Sequence, residues 1–213
     1  AVADERVEAR RVLICTGMID EMLPLEGFRE HWGHAVFQCP YCHGWEARDR
    51  PWGFLVLGDS GGHVLPFALQ LPAWTEEVTV FTGGESEIPD EARGALARAG
   101  VRVEERPIAR LVGDGGHLEA VELADGGRVA CEALFAHPPQ RQVELVRRLG
   151  LELDAHGFVV ADPRTRETST PGVYAAGDLT TRMQAAVAAA ATGMQAGAVL
   201  NMDLMFERAG VAP

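Results

Sequence analysis

Phe54-Leu55-Val56-Leu57 is a short apolar run that breaks into Gly58-Asp59-Ser60-Gly61-Gly62 and continues as a helical segment through Gln70. A second apolar run, Val78-Thr79-Val80-Phe81, follows. A buried strand, a glycine-rich turn, a helix and another buried strand make a βαβ unit, which commits its two strands to a parallel sheet. The rest of the chain keeps this alternation. Arg11-Val12-Leu13-Ile14-Cys15 reads as a buried strand stopped by Thr16-Gly17, and Val101-Arg102-Val103, Gly157-Phe158-Val159-Val160 and Val173-Tyr174-Ala175 read as further strands. Residues 89–99 form a helix, and residues 181–207 carry long helical periodicity with Gly193 and Gly197 as weak points. Asp125-Gly126-Gly127 is a hairpin signal between strands expected over 118–123 and 128–134. The fold class is therefore α/β with a mainly parallel sheet and a small antiparallel layer.

At 213 residues the chain can bury one large core or two smaller ones. A net charge of -12 argues against nucleic acid or an anionic membrane surface as partner. No apolar run reaches membrane-spanning length. Every basic residue is Arg, so no lysine can form a Schiff base or serve a phosphate loop. Four cysteines in such a chain suit a reducing, cytoplasmic compartment and a working dithiol better than structural disulfides. The start at Ala1, in a polar stretch that runs straight into a strand, is how an excised piece begins; a processed start Met would give the same beginning.

Cys39-Pro40-Tyr41-Cys42-His43 carries the chemistry. Two thiols two residues apart can close a disulfide or exchange an electron pair with a cofactor, and the thiolate is the reactive form. His43 directly after the pair can move a proton near neutral pH. Competing readings are half a zinc site, a c-type haem attachment pattern and a glutaredoxin-like turn. Zinc lacks a second ligand pair, since Cys15 and Cys131 each stand in apolar runs and are expected in the core. Haem attachment goes with export, and a secretory leader is not expected here. The glutaredoxin turn belongs near the start of its fold. A redox-active dithiol, with His34 as a second candidate base, is the leading reading.

Val173-Tyr174-Ala175-Ala176-Gly177-Asp178 is the other strong signal. A strand ending in small residues admits a cofactor against the backbone, and Asp178 can accept hydrogen bonds from sugar or ribityl hydroxyls. The plain structural alternative is that Asp178 caps the following helix.

Together these segments resemble the low-molecular-weight thioredoxin reductase branch of the FAD-dependent pyridine nucleotide–disulfide oxidoreductases. Ile14-Cys15-Thr16-Gly17 is similar to that family's Ala-Thr-Gly segment, and Leu23-Pro24-Leu25-Glu26-Gly27 to the link after it. Cys39-Pro40-Tyr41-Cys42-His43-Gly44 is similar to its redox box. The stretch from Ser169 to Asp178 is similar to its flavin signature, and Arg182-Met183-Gln184-Ala185 to the helix that follows. The resemblance implies a central NAD(P)-type three-layer domain with the CxxC, inserted in a partial FAD-binding Rossmann-like domain. The expected boundaries are 1–24 and 137–213 for the FAD-type pieces and 25–136 for the inserted domain. It also implies FAD as cofactor, a homodimer, and a small-molecule dithiol or a thioredoxin-like protein as partner. Cys42 would face the flavin, Cys39 would exchange with substrate, and Thr16, Gly17, Gly177, Asp178, Gln184 and Ala185 would line the flavin site.

Three departures qualify the resemblance. The family has an acid where His43 stands, and His there resembles the dithiol-oxidase subgroup, which closes small-molecule disulfides and passes electrons through flavin to oxygen. The nucleotide turn offers Gly58-x-Ser60-x-x-His63 in place of Gly-x-Gly-x-x-Gly, and Thr82-Gly83-Gly84-Glu85 in place of a cationic run. This leaves NAD(P)H open, either as an NADH site with Glu85 on the ribose or as bare scaffold. Finally, the flavin's own glycine fingerprint is missing: either the chain is a fragment lacking the N-terminal FAD-binding half, the favoured reading, or it has lost the half-site for the ADP moiety and is a non-enzymatic remnant acting as a binding or scaffold domain.

Overall fold

The computed structural model describes residues 7–58, 61–84 and 87–211, with backbone only for 61–63. The strands are β1 (Val12–Ile14), β2 (Met18–Asp20), β3 (Val36–Phe37), β4 (Trp52–Leu55), β5 (Val78–Phe81), β6 (Val101–Glu104), β7 (Ile108–Asp114), β8 (His117–Leu123), β9 (Arg128–Ala130), β10 (Ala133–Ala136), β11 (Gln140–Gln142) and β12 (Val173–Ala175). The helices are α1 (Phe28–His31), α2 (Pro40–Ala47), α3 (Gly61–Gln70), α4 (Asp90–Arg98), α5 (Glu144–Leu149) and α6 (Ala186–Ala209). The chain forms two compact units. One is built from residues 1–21 and 140–213, the other from 22–139.

The continuous unit holds a five-stranded, all-parallel sheet in the order β3-β10-β4-β5-β6. Its central strands β4, β5 and β10 are buried at every residue because both faces are covered, whereas the edge strand β6 carries Arg102 and Glu104. Alternate residues serve alternate layers. Trp52, Phe54, Val78, Val80 and Phe135 point into a core shared with Val64, Ala68 and Leu71 of the α3 region and Leu96 of α4. Leu55, Phe81, Leu134 and Ala136 point into a second core with Leu111, Leu118, Val121 and Leu123 of the antiparallel sheet β7-β8-β9. Gly53 sits on this second side because a Cβ there would come within 2.7–2.9 Å of Leu134, Cys131 and Phe81. The unit is thus three layers: helices, parallel sheet, antiparallel sheet.

The discontinuous unit pairs β1 with β12 in parallel and β2 with β11 in antiparallel. Its core gathers Ile14, Val146, Leu151, Val159, Ala175 and Leu179. Asp203 on α6 accepts from Arg11 Nε (2.6 Å) and from the Tyr174 hydroxyl (3.0 Å), joining the helix to both parallel strands' segments. Among the described residues no helix is long and apolar enough to cross a membrane.

Several sequence expectations change. The second hairpin arm stops at Ala130, and Ala133–Ala136 leaves to join the parallel sheet between β3 and β4, where both its faces are buried. Residues 157–160 form only an isolated bridge, Leu153 to Val159, inside a tight turn in which the Asp154 amide donates to the Phe158 carbonyl and the Val160 amide to the Glu152 carbonyl. The last helix begins at Ala186, after a single 3-10 turn over Asp178–Thr180 and an extended stretch, so Asp178 caps no α-helix. Cys131 is buried as expected, but Cys15 is exposed, since it follows the last paired residue of β1.

Candidate active site

Cys39 is the N-cap of α2, with extended backbone (φ -126°, ψ 116°), and Pro40 occupies the first helical position. Proline there needs no N–H partner and its ring presets the helical φ. The amides of Cys42 and His43 donate to the Cys39 carbonyl at 3.2 and 3.3 Å, so the first turn closes on the dithiol itself. One helical turn is what brings residues 39 and 42 to neighbouring positions. Both are free thiols, Cys42 exposed and Cys39 half-buried. The Cys42 thiol is pushed up to about 11 by its hydrogen bond with Cys39, then by burial and by the charge of Cys39. Adjacent sulfurs resist carrying two negative charges, and Cys42 is the one that keeps its proton.

The surroundings hold this turn rigid. Gly44 is buried because the Trp74 indole lies where its side chain would be, with Nε1 only 2.7 Å from an ideal Cβ. Trp74 in turn stacks on buried Trp52 (5.9 Å) and meets Tyr41 edge-on (5.2 Å). The Trp52 indole N–H donates to the Ala47 carbonyl at 2.8 Å, satisfying an orphan acceptor at the end of the helix. The His43 ring stacks on Phe37 at 4.4 Å and 19°, which fixes its plane while leaving it accessible. His34 lies elsewhere in the unit, lining a polar cavity of about 280 Å³ with Arg50, His117, Glu119 and Glu132.

In the same unit the turn after β4 contains Gly58, with a left-handed φ of 57°. Ser60 and Glu85 lie outside the described residues. Beyond the carboxyl end of β5, Gly83 and Gly84 are both left-handed and the buried Thr82 hydroxyl has no hydrogen-bond partner. Nearby cations are already engaged: Arg93 pairs with Glu105, and Arg106 with Glu104 and Asp125.

The other predicted residues gather in the discontinuous unit. Because β1 and β12 run parallel with Ile14 opposite Ala175, Cys15-Thr16-Gly17 and Ala176-Gly177-Asp178 leave the sheet at the same end. The Ala176 amide still donates to the Ile14 carbonyl at 3.1 Å. Carboxyl ends of parallel strands are where α/β folds bind ligands. Gly17 has φ 64°, and Gly177 has φ 86°, ψ -158°, a conformation reserved for glycine. The Gly177 amide is held by the Thr192 hydroxyl of α6 (3.1 Å). One carboxylate oxygen of Asp178, Oδ1, is buried with no partner. A buried acceptor without a donor is costly, and a ligand hydroxyl is the kind of group that would satisfy it. These residues fit a flavin's ribityl chain.

Gln184 is held within the same unit. Its side-chain amide forms a reciprocal pair with Gln140 (2.8 and 2.9 Å), and Gln140 also donates to Asp20 (2.8 Å). Ala185 is the extended N-cap of α6. Gln140 and Asp20 were not singled out from the sequence; they face each other through the β2–β11 pairing, which no local pattern announces. Phe37 and Trp74 were missed for the same reason.

The sequence model of the pyridine nucleotide-disulphide oxidoreductase family matches residues 1–193. The chain is similar to the thioredoxin reductase tcpT of Claviceps purpurea, 30% identical over 98% of this chain and 66% of that protein. It is similar to the thioredoxin reductase sirT of Leptosphaeria maculans, 31% identical over 92% of this chain and 63% of that protein. In structure it is similar to the crystal structure of HlmI, with a TM-score of 0.83 and 36% identity over 94% of this chain and 62% of that one. The chain therefore spans between 62% and 66% of the length of these relatives, a little under two thirds. Family match, fold and the placement of the dithiol agree, and the chain belongs to the pyridine nucleotide-disulphide oxidoreductase family, with thioredoxin reductases among its relatives.

Proposed function

We propose that this chain carries the dithiol of an FAD-dependent thiol–disulfide oxidoreductase that oxidises a small-molecule dithiol, working as a cytoplasmic homodimer. Residues 25–136 act as the nucleotide-type domain and residues 1–24 and 137–213 as parts of the FAD-binding domain. The observation that carries the reading is the first turn of α2, where Cys39 caps the helix, Cys42 follows one turn on, and the hydrogen bond with Cys39 raises the proton affinity of Cys42.

The exchange runs on this chain's residues. His43 takes a proton from one substrate thiol, whose thiolate attacks Cys39 of the oxidised pair. The Cys39–Cys42 bond breaks, a substrate–Cys39 disulfide forms, and Cys42 leaves and takes up a proton. The second substrate thiolate attacks the substrate sulfur of that mixed disulfide, closing the substrate disulfide and releasing Cys39. The substrate has lost two electrons and two protons, and the cysteine pair has gained them. FAD, when bound, supplies the two-electron acceptor that returns the pair to the disulfide and that oxygen can reoxidise. Asp178, Gly177, Thr16 and Gly17 are the residues that would hold it, with Gln184 and Ala185 beside them.

In the full-length flavoprotein, Cys42→Ser and Cys39→Ser should each abolish dithiol oxidation, measured as oxygen uptake, while dithionite still bleaches the flavin. Full turnover in Cys42→Ser rules the scheme out. A second reading, a reductase driven by NAD(P)H and delivering to a thioredoxin-like protein, is supported by the names of the fungal relatives. Rapid flavin bleaching on adding NADPH or NADH, using Gly58, Ser60 and Glu85, would favour it.

A further inference from the structure

Among the described residues, Arg166 and Asp49 are the two non-glycines with left-handed backbone, at φ 65° and 62°. A side chain in that region is strained, and such strain persists where neighbours over-determine the residue, most often at functional sites. The neighbours of Arg166 do so. The Asp162 carboxylate accepts from the amides of Arg164 (2.8 Å) and Thr165 (2.7 Å), and the Arg166 amide donates to the Asp162 carbonyl (2.8 Å). Gln195 of α6 donates to the Pro163 and Arg164 carbonyls, both at 2.9 Å. The Arg166 carbonyl accepts from the Ala175 amide of β12 at 2.9 Å. The loop is thus tied to α6 and to the end of β12.

The side chain shows what the strain holds in place. A guanidinium can only donate. Arg166 Nη2 donates to the Thr180 hydroxyl at 2.8 Å, so the single proton of that hydroxyl goes to its other neighbour, the Gly177 carbonyl, also at 2.8 Å. The same carbonyl accepts from the Thr180 amide (3.0 Å), and the Gly177 amide donates to Thr192 Oγ1 (3.1 Å). Both polar backbone atoms of a residue in a glycine-only conformation are therefore pinned, and Asp178 is the next residue. Arg166 Nε and Asp178 Oδ1 are both buried without hydrogen-bond partners. An unpaired donor and an unpaired acceptor destabilise a fold, and a loop with a purely structural role has no reason to keep them.

Resting on the FAD-dependent oxidoreductase reading, we infer that Arg166 is a positioning residue of the cofactor site: through Thr180 it fixes the Gly177 carbonyl, and with it the Asp178 carboxylate that would take the ribityl hydroxyls.

The test uses the full-length protein, stripped of flavin and titrated with FAD by fluorescence quenching. Arg166→Met should weaken FAD binding about tenfold, the worth of one charge-assisted hydrogen bond, and Arg166→Lys, which can still donate to Thr180, should keep it. Thr180→Val removes the hydroxyl and should cost the same. Because the two residues act in one chain of hydrogen bonds, the Arg166→Met/Thr180→Val protein should lose no more than either single variant. Arg166→Asn separates positioning from a structural role. Asparagine accepts left-handed backbone, so the Tm of the apoprotein, followed by circular dichroism, should hold or rise while FAD binding falls as in Arg166→Met. Unchanged FAD affinity in Arg166→Met, additive losses in the double variant, or a Tm in Arg166→Asn that falls along with FAD affinity overturns the inference and leaves the FAD reading standing. A wild type that binds no FAD sinks the FAD reading instead. Hydrogen exchange at the Gly177 and Thr180 amides then decides the positioning by itself: faster exchange in Arg166→Met upholds it, and equal exchange overturns it.

Discussion

Cys42 owes its proton to Cys39. Hydrogen bonding to Cys39 is the largest cause of the rise to about 11, ahead of burial. Cys39→Ala should therefore bring the pH midpoint for alkylation of Cys42 down toward the ordinary thiol value near ~8.5, read by iodoacetamide labelling and mass spectrometry. A midpoint that stays near 11 would make burial the cause. The sign for stability follows from the raised value. Between the ordinary thiol range and about 11 the folded chain holds a proton that the unfolded chain releases, so this group's contribution falls as pH rises through that window. The other telling residue is Asp178. Its unpartnered buried oxygen would be a defect in a domain kept only as scaffold, and it is an acceptor in waiting in one that binds a polyol.

Helix α2 has eight residues, too few to be stable alone, so its packing keeps the dithiol in place. Gly44 against Trp74 is the tightest part of that packing. Alanine at a helical glycine normally gains up to about 1 kcal/mol, but here its Cβ would press on an indole wedged between Tyr41 and Trp52, and overpacking costs ~1–3 kcal/mol. Gly44→Ala should lower stability in urea unfolding. Gly94→Ala on α4, where only the tip of Arg98 comes within 3.4 Å of the new Cβ, should be neutral or stabilising. Stabilisation by both would mean that Trp74 moves freely.

On the scale of the molecule, the discontinuous unit depends on contacts between segments far apart in the chain. Asp203 accepts from Arg11 across 192 residues and from Tyr174. The Arg11 hydrogen bond, then that of Tyr174, holds the Asp203 carboxyl below the usual aspartate range. A depressed carboxylate contributes stability that is complete above its unfolded value near ~4 and is lost as pH falls below it. The wild-type Tm should drop on acidification from pH 5 to 3. In Asp203→Asn the Tm at neutral pH should be lower and that acid slope shallower, as followed by circular dichroism. Identical slopes would show that other carboxylates govern acid unfolding.

Much of this protein was decided along the chain. A short apolar run broken by glycines reads as a strand and a turn, so the βαβ unit of β4, α3 and β5 was readable, although β4 covers Trp52–Leu55 and not the run Phe54-Leu55-Val56-Leu57; β12 leading into Gly177 was readable as well. Cys39-Pro40 sets a helix start through the missing proline N–H, and the dithiol follows from spacing alone. What tertiary structure decided was pairing. Gln140-Arg141-Gln142 is a strand only because β2 lies beside it, and Ala133–Ala136 leaves its hairpin only because β3 and β4 leave a gap it fills. The start of α6 was invisible because Arg182-Met183-Gln184-Ala185 are as good helix formers as the alanines after them. Cys15 lies outside its core, and Gln184 holds Gln140, for the same reason. Backbone preference and hydrophobic period are local energies carried by each segment, whereas the partner across a sheet or beneath a ring is chosen by the whole chain.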